Sequence, residues 1–283
     1  MAINTIAVLG AGQMGAGIAQ IAAANGYKVI MRDIKQEFCD KGVNTIKTGL
    51  DKQVAKGKTT QEAADALLAN ITTTVELEGV APADFVIEAV PEIMSLKQDT
   101  FKQLGEICRP DAILCTNTSS MSITEITKDC KNPERCMGMH FFSPVYAMKL
   151  VEMIRSNYTS DATVEAVREV SEKMGKVPVL CQTDTPGFIV NRCLFAFMLE
   201  AIHEYEDGVA TIDDIDTAIK LGLNHPMGPF EMMDLSGLDT FPHVTEILEK
   251  LPVTTWKCPE SVQKLISEGK YGRKTGEGWH KYN

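Results

Sequence analysis

Ile3-Asn4-Thr5-Ile6-Ala7-Val8-Leu9-Gly10-Ala11-Gly12-Gln13-Met14-Gly15 is the stretch whose reading decides the fold. A β-rich apolar run ends on a G-x-G-x-x-G motif. The motif opens an apolar-periodic segment, Met14 to Asn25, that Gly26 closes. Strand, glycine turn and helix in that order make the first unit of a dinucleotide-binding sheet. Gly10 permits the tight turn, Gly12 lets the backbone approach a pyrophosphate, and Gly15 lets helix and strand pack closely. Gln13 and Met14 lie between those glycines, where free N–H groups and the positive end of the helix dipole hold phosphates.

Working outward, Lys28 to Met31 resumes a strand and leads to Asp33. A carboxylate there accepts hydrogen bonds from ribose hydroxyls and repels a 2′-phosphate, so the expected cofactor is NAD. Arg32 beside it keeps NADP open. Later strand runs are Phe85–Val90, Ile113–Thr116, Cys136–Phe141, Lys149–Ile154 and Val177–Cys181, with a helix over about Asp161–Met174 before the last. Residues 35–70 are charged, rich in Lys, Gln and Ala, and without a strand run, so they read as a protruding pair of helices. After Thr185-Pro186-Gly187 only helical patterns remain, at Phe188–Glu206, Ile212–Leu221 and Thr240–Lys250. The fold class is α/β, a Rossmann-type doubly wound, mainly parallel sheet with an inserted helical arm, followed by an all-α C-terminal domain. The expected boundaries are 1–184 for the cofactor domain and 185–283 for the helical domain. Leu194, Phe195, Phe197, Met198, Leu199 and Ile202 form a wide apolar surface on the first C-terminal helix, which suggests a homodimer or larger homo-oligomer.

The net charge of −10 argues against nucleic acid or an anionic membrane as the main partner. No apolar stretch approaches the length that spans a bilayer. Met1 to Thr5 run into a strand with no basic leader pattern, so the expected address is the cytoplasm. The 8 cysteines contain no C-x-x-C pair, and free thiols in a reducing compartment are expected, with no metal site.

A nucleotide fold does not name a reaction, so a catalytic group is needed. The histidines are His140, His203, His225, His243 and His280, and only His140 ends a parallel-type strand, where open α/β sheets bind ligands. Glu152 sits in the otherwise apolar strand Lys149-Leu150-Val151-Glu152-Met153-Ile154. Alternation puts it opposite Val151 and Met153, with Leu150 and Ile154. A carboxylate among apolar residues needs a partner. Pro144 and Tyr146 mark a reversal that lays this strand back near the first, making His140 that partner. Glu152 would then set the imidazole tautomer and stabilise the imidazolium, and His140 would exchange a proton with an alcohol at neutral pH.

Six motifs occur in order: Gly10-Ala11-Gly12-Gln13-Met14-Gly15, Asn117-Thr118-Ser119-Ser120, Gly138-Met139-His140-Phe141-Phe142, Thr185-Pro186-Gly187-Phe188-Ile189-Val190-Asn191-Arg192, Pro226-Met227-Gly228-Pro229 and Gly272-Arg273-Lys274-Thr275-Gly276. Together, from end to end, they resemble the 3-hydroxyacyl-CoA dehydrogenase family. The resemblance implies reversible hydride transfer between (S)-3-hydroxybutyryl-CoA and acetoacetyl-CoA with an NAD(P) cofactor, in short-chain fatty acid or butyrate metabolism. It implies that Ser119 hydrogen-bonds the substrate's 3-oxygen and that Asn117 lies near the nicotinamide. Asn191 lines the cleft, Glu92 and Lys97 contact the cofactor, and His140 with Glu152 is the acid–base pair. Relatives read H-F-F-N-P where this chain has His140-Phe141-Phe142-Ser143-Pro144, so Ser143 offers one donor where an amide offers two. That departure bears on kinetics and acyl selectivity. Without a fused hydratase or thiolase pattern, a stand-alone enzyme is expected.

Coenzyme A needs local positive charge. Lys47, Lys52, Lys56 and Lys58 face only Asp51 in that stretch, and Lys52 and Lys56 share a helix face. The family places the nucleotide end of CoA near this arm, making Lys52 and Lys56 candidate phosphate contacts. Two other readings stay open: a dehydrogenase acting on a free hydroxyacid, and a non-catalytic NAD-binding relative.

Overall fold

The computed structural model describes residues 2–242, 245, 249 and 258–282. The chain divides into two compact units, Met1–Thr185 and Pro186–Asn283, one residue beyond the expected junction. The first unit is built on one sheet of order β3-β2-β1-β4-β5-β6-β7-β8. Its strands are β1 (Thr5–Leu9), β2 (Lys28–Arg32), β3 (Ile71–Thr74), β4 (Phe85–Glu88), β5 (Ile113–Thr116), β6 (Cys136–Phe141), β7 (Leu150–Ile154) and β8 (Val177–Cys181). All neighbours are parallel except β6 and β7. β1 lies inside the sheet between β2 and β4, and Ile6, Ala7, Val8 and Leu9 are fully buried, as a strand covered on both faces requires.

Alternation along the strands sorts the side chains onto two faces. Phe85, Ile87, Met137, Met139, Phe141, Val151 and Met153 join the core under α1 (Gln13–Ala24) and α6 (Asp161–Lys173). Val86, Leu114 and Cys136 join the other core, under α4 (Met94–Ile107) and α5 (Ile123–Thr127). By the same parity Glu88, Thr116, His140 and Glu152 belong to this second face. Polar residues are therefore gathered at one end of the face that α4 and α5 cover.

The inserted arm is α2 (Gln36–Ala55) and α3 (Gln61–Ala69). It protrudes less than its composition suggests. Cys39, Gly42, Ile46 and Leu50 form a buried stripe at helical spacing. A Cβ on Gly42 would lie 2.8 Å from the Ala11 carbonyl, so α2 begins against the glycine turn. β3 was not anticipated. Its sequence, Ile-Thr-Thr-Thr, is short and mostly polar, and only β-branching marks it.

The second unit contains α7 (Val190–Glu206), α8 (Ile212–Gly222), α9 (Pro229–Ser236) and α10 (Glu260–Ser267). The last two were not anticipated, because each is only two turns long. The expected helix Thr240–Lys250 lies largely outside the described residues, and His243 is outside them altogether. The apolar surface read on α7 needs correction. Met198, Leu199 and Ile202 are buried with Phe230, Met233 and Leu238, while Leu194 and Phe195 pack against the same cluster. The ring of Phe197 meets that of His225 at 5.6 Å. The unit's own core thus takes most of that surface, so these residues are not a vacant oligomer face.

Candidate active site

The glycine turn meets the cofactor expectation in each of its parts. Gly10 has φ +97°, and a Cβ there would lie 2.5 Å from the Ala89 carbonyl oxygen. A Cβ on Gly15 would lie 1.8 Å from the Gly10 carbonyl oxygen, so helix and turn touch with no room for a side chain. Gly12 differs: nothing lies within 4 Å of its ideal Cβ, and its φ is an ordinary −69°. The protein itself does not require glycine at this position. The requirement comes from whatever approaches the backbone, as a pyrophosphate does. No side chain caps the start of α1, and no acidic residue sits in its first turn. The N–H groups around Gln13, Met14 and Gly15 therefore point to an anion site.

Asp33 follows β2 and is half-buried. One carboxylate oxygen accepts from the Ala11 N–H at 2.7 Å and the other from the Ile34 N–H at 2.7 Å. The same residue that would hold a ribose thus also braces the glycine turn. Arg32 donates from Nε to the Val75 carbonyl at 3.2 Å, which ties its guanidinium to the chain after β3.

His140 is the fifth residue of β6 and pairs in register with Glu152 of antiparallel β7. Its Nδ1 lies 2.8 Å from Glu152 Oε2, with side-chain exposures of 8% and 1%. An ionised carboxylate only accepts, so Nδ1 carries the proton toward it and proton exchange falls to Nε2. The Phe142 ring lies 4.5 Å from the imidazole, centre to centre, and holds its plane. Gly138, on the same strand face, lets Ile123 of α5 close over it: a Cβ there would lie 2.8 Å from Ile123 Cδ1.

A buried network not read in the sequence holds the segment Asn117–Ser120. Glu88 is fully buried, and its Oε1 accepts from Lys97 Nζ at 2.7 Å and from the Val90 N–H at 2.7 Å. Its Oε2 accepts from Thr116 Oγ1 at 2.7 Å. Lys97 also reaches the Val90 carbonyl at 3.2 Å and stands 4.0 Å from Glu92. Glu92 in turn accepts from Thr118 Oγ1 at 2.8 Å and the Ser119 N–H at 3.0 Å. Lys97, with 1% of its side chain exposed, lies beneath this loop, where a direct cofactor contact was expected. Burial explains its place: an ammonium that deep needs carboxylates around it.

Asn117 Oδ1 accepts from the Phe141 N–H at 2.8 Å, which joins the ends of β5 and β6 beyond their last paired residues. It fixes Ser119 and His140 at neighbouring strand ends. Ser143 is exposed, and its hydroxyl accepts from Gln13 Nε2 at 3.0 Å. The loop after the histidine strand is thereby linked to the cofactor turn. The Ser143–Pro144 peptide bond is cis. Lys52 lies in the last turn of α2 and Lys56 is its C-cap, both exposed. Among the described residues neither Lys47, Lys52, Lys56 nor Lys58 forms an ion pair. Asn191 stands in the first turn of α7, in the second unit.

The described residues contain no cluster of His, Cys, Asp or Glu able to hold a metal, and no helix long and apolar enough to cross a membrane. All eight cysteines are thiols.

Gly12→Val tests the cofactor turn. Because the space beyond Cα is open, the fold should be kept and thermal unfolding should shift little. NADH affinity, read by fluorescence titration, should fall at least about tenfold through clash with the phosphates.

Comparison with known proteins agrees with this geometry. Residues 5–185 match the 3-hydroxyacyl-CoA dehydrogenase NAD binding domain, and residues 187–282 match the C-terminal domain of the same family. The chain is 45% identical over 276 residues to a probable 3-hydroxybutyryl-CoA dehydrogenase of Deinococcus radiodurans, covering 97% of this chain and 99% of that one. It is 42% identical to a 3-hydroxybutyryl-CoA dehydrogenase of Clostridioides difficile, covering 98% and 99%. The crystal structure of (S)-3-hydroxybutyryl-CoA dehydrogenase PaaH1 from Ralstonia eutropha matches with a TM-score of 0.96 at 38% identity, covering all of both chains. With both domains matched and a buried His–Glu pair on the same sheet as a dinucleotide turn, the chain belongs to the 3-hydroxyacyl-CoA dehydrogenase family.

Proposed function

We propose that this protein interconverts (S)-3-hydroxybutyryl-CoA and acetoacetyl-CoA with NAD. The observation that carries the reading is the buried pair His140–Glu152, 2.8 Å apart at the ligand-binding end of β6. Bound NAD supplies the acceptor or donor of hydride at C3. The protein's own part is the proton on the 3-oxygen. In oxidation His140 Nε2 takes it from the hydroxyl, and in reduction it returns it. Glu152 holds the ring in the tautomer that leaves Nε2 able to accept and offsets the imidazolium charge. The Ser119 hydroxyl donates to the same oxygen as negative charge grows on it. Asn117 and Glu92 set the position of that serine and form the nicotinamide side of the site, with Lys97 acting from beneath. Gly10, Gly12, Gln13, Met14 and Gly15 take the pyrophosphate and Asp33 the ribose. Ser143 belongs to the substrate side of this unit. Assay of acetoacetyl-CoA against free acetoacetate tests the thioester claim. CoA-dependent turnover should exceed that of the free acid by orders of magnitude, and equal rates would reject it.

Lys52 and Lys56 are the proposed contacts for CoA phosphates, supported by their exposure and lack of ion pairs. Their other role is to offset the negative end of the α2 dipole. The double variant Lys52→Ala/Lys56→Ala should raise KM for acetoacetyl-CoA about five- to thirtyfold, with kcat near wild type, and the difference should shrink in high salt. An unchanged KM assigns the lysines to the helix end alone.

The helical unit is the proposed dimerisation and substrate domain. Its exposed Leu221, Leu223 and Val209 replace the α7 surface as the apolar residues that support an oligomer. Sedimentation should give a mass of at least two chains. The buried thiols support a cytoplasmic, reducing address, and butyrate or short-chain fatty acid metabolism is the proposed setting.

A further inference from the structure

The connection from β6 to β7, residues 142–149, is longer than the roughly two to five residues that close a tight hairpin, so outside contacts must fix its shape. Within it the Ala147 and Met148 N–H groups both donate to the Pro144 carbonyl at 3.0 Å, which curls 144–148 into one turn. Of that turn only Val145 is buried. Its side chain fills the space that Gly17 leaves on α1, where a Cβ would lie 2.8 Å from Val145 Cβ.

Two carbonyls of the turn meet a lysine that no motif marks. Lys176 Nζ donates to the Val145 and Met148 oxygens, the latter at 2.7 Å. The residue is 8% exposed, and among the described residues it forms no ion pair, whereas buried Lys97 has Glu88 at 2.7 Å. An ammonium so placed relies on carbonyl oxygens in place of water, and burial holds Lys176 below the ordinary lysine range. Local geometry delivers it there. Gly175, with φ +75°, ends α6 in the left-handed conformation. Its N–H donates to the Glu172 carbonyl at 2.9 Å and the Lys176 N–H to the Ser171 carbonyl at 3.0 Å. Val177 then donates to the Lys149 carbonyl at 2.8 Å, so the lysine stands beside the start of β7.

We propose that Lys176 is a positioning residue for the acid–base pair, an inference that rests on the role given to His140: its ammonium holds the 144–148 turn and, through it, the Phe142 ring against the imidazole. Phe142 and Ser143 are the only residues between the end of β6 and the turn, and the Phe142 ring lies 4.5 Å from that of His140. A turn free to shift would carry Phe142 with it and release the tilt of the imidazole. Nζ bonded to both oxygens also gathers the Val145 and Met148 carbonyls about one point. A guanidinium, which spreads its donors over a planar fork, cannot do the same.

Lys176→Met keeps the length and apolar stem of the side chain and removes its donors. In the full-length protein, kcat for acetoacetyl-CoA reduction should fall about ten- to fiftyfold, as misplaced catalytic groups cause. The NADH dissociation constant should stay within about twofold of wild type, because the cofactor turn is untouched. Lys176→Arg keeps a buried cation and serves if methionine does not fold; its kcat should lie at least about threefold below wild type and above that of Lys176→Met. The imidazole N–H held by Glu152 gives a reading that needs no substrate. Its downfield proton signal should exchange with water at least about fivefold faster in either variant. Three results would each overturn the proposal. One is kcat within about twofold of wild type in a variant that only melts lower, which makes the lysine a prop for the fold. Another is NADH affinity lost in step with kcat, which places the effect on α1. The third is an unchanged imidazole signal. Should the wild type fail to reduce acetoacetyl-CoA, the substrate reading falls, and the imidazole signal alone decides the role of Lys176.

Discussion

His140→Asn should lower kcat by about a hundredfold to ten-thousandfold while leaving NADH affinity unchanged, the range expected when a general acid–base group is lost. Asparagine is the informative substitution. Its amide nitrogen sits on Cγ, where the imidazole carries Nδ1, so a donor to Glu152 is kept. Alanine would take from fully buried Glu152 the ring nitrogen 2.8 Å away, costing on the order of 3 kcal/mol in stability. With asparagine that burden is small, and a loss of turnover reports the missing Nε2 alone. Thermal unfolding and NADH titration serve as controls beside steady-state assay in both directions. A variant within tenfold of wild type would remove His140 from the proton step and with it the proposed mechanism.

The second large effect is expected at Glu152. Glu152→Gln should cost about a hundredfold or more in kcat, since the amide cannot supply the charge that offsets an imidazolium. It also presents two faces to Nδ1. Only the carbonyl face keeps the proton there, and the amide face would turn Nε2 into the protonated nitrogen, unable to act as base. Because Glu152 acts through His140, the effects should not add. The double variant His140→Asn/Glu152→Gln should be no slower than His140→Asn by more than about threefold. Glu152→Asp should recover part of the rate by restoring charge at a longer reach. Additive losses would mean that Glu152 holds the strands together and has no part in proton exchange.

The site was legible where function shows in linear order. A glycine turn between strand and helix is local, so the roles of Gly10 and Gly15 follow from neighbouring residues, and the structure adds only the measured closeness. His140 and Glu152 were also legible, since alternation told which face each occupies and a lone carboxylate in an apolar strand called for a partner. β3 escaped because three threonines carry no apolar pattern, and its place beside β2 is set by pairing between distant segments. Glu88 escaped for a different reason. A glutamate ending a strand reads as the start of a loop, and only the depth of Lys97 shows that it is an internal anchor. The apolar surface of α7 was read correctly as apolar, but sequence could not tell that α9 would cover it.

From the order of residues alone follow the class of fold, the cofactor turn and the pairing of His140 with Glu152, because each depends on periodicity or on contacts within one supersecondary unit. Tertiary structure alone decided how Glu88, Lys97 and Glu92 hold Ser119, and how Asn117 locks Phe141. Those bonds join residues far apart in the chain. Their partners are chosen by burial, which no local pattern records: a polar side chain becomes part of a network only when folding has removed the water it would otherwise have used.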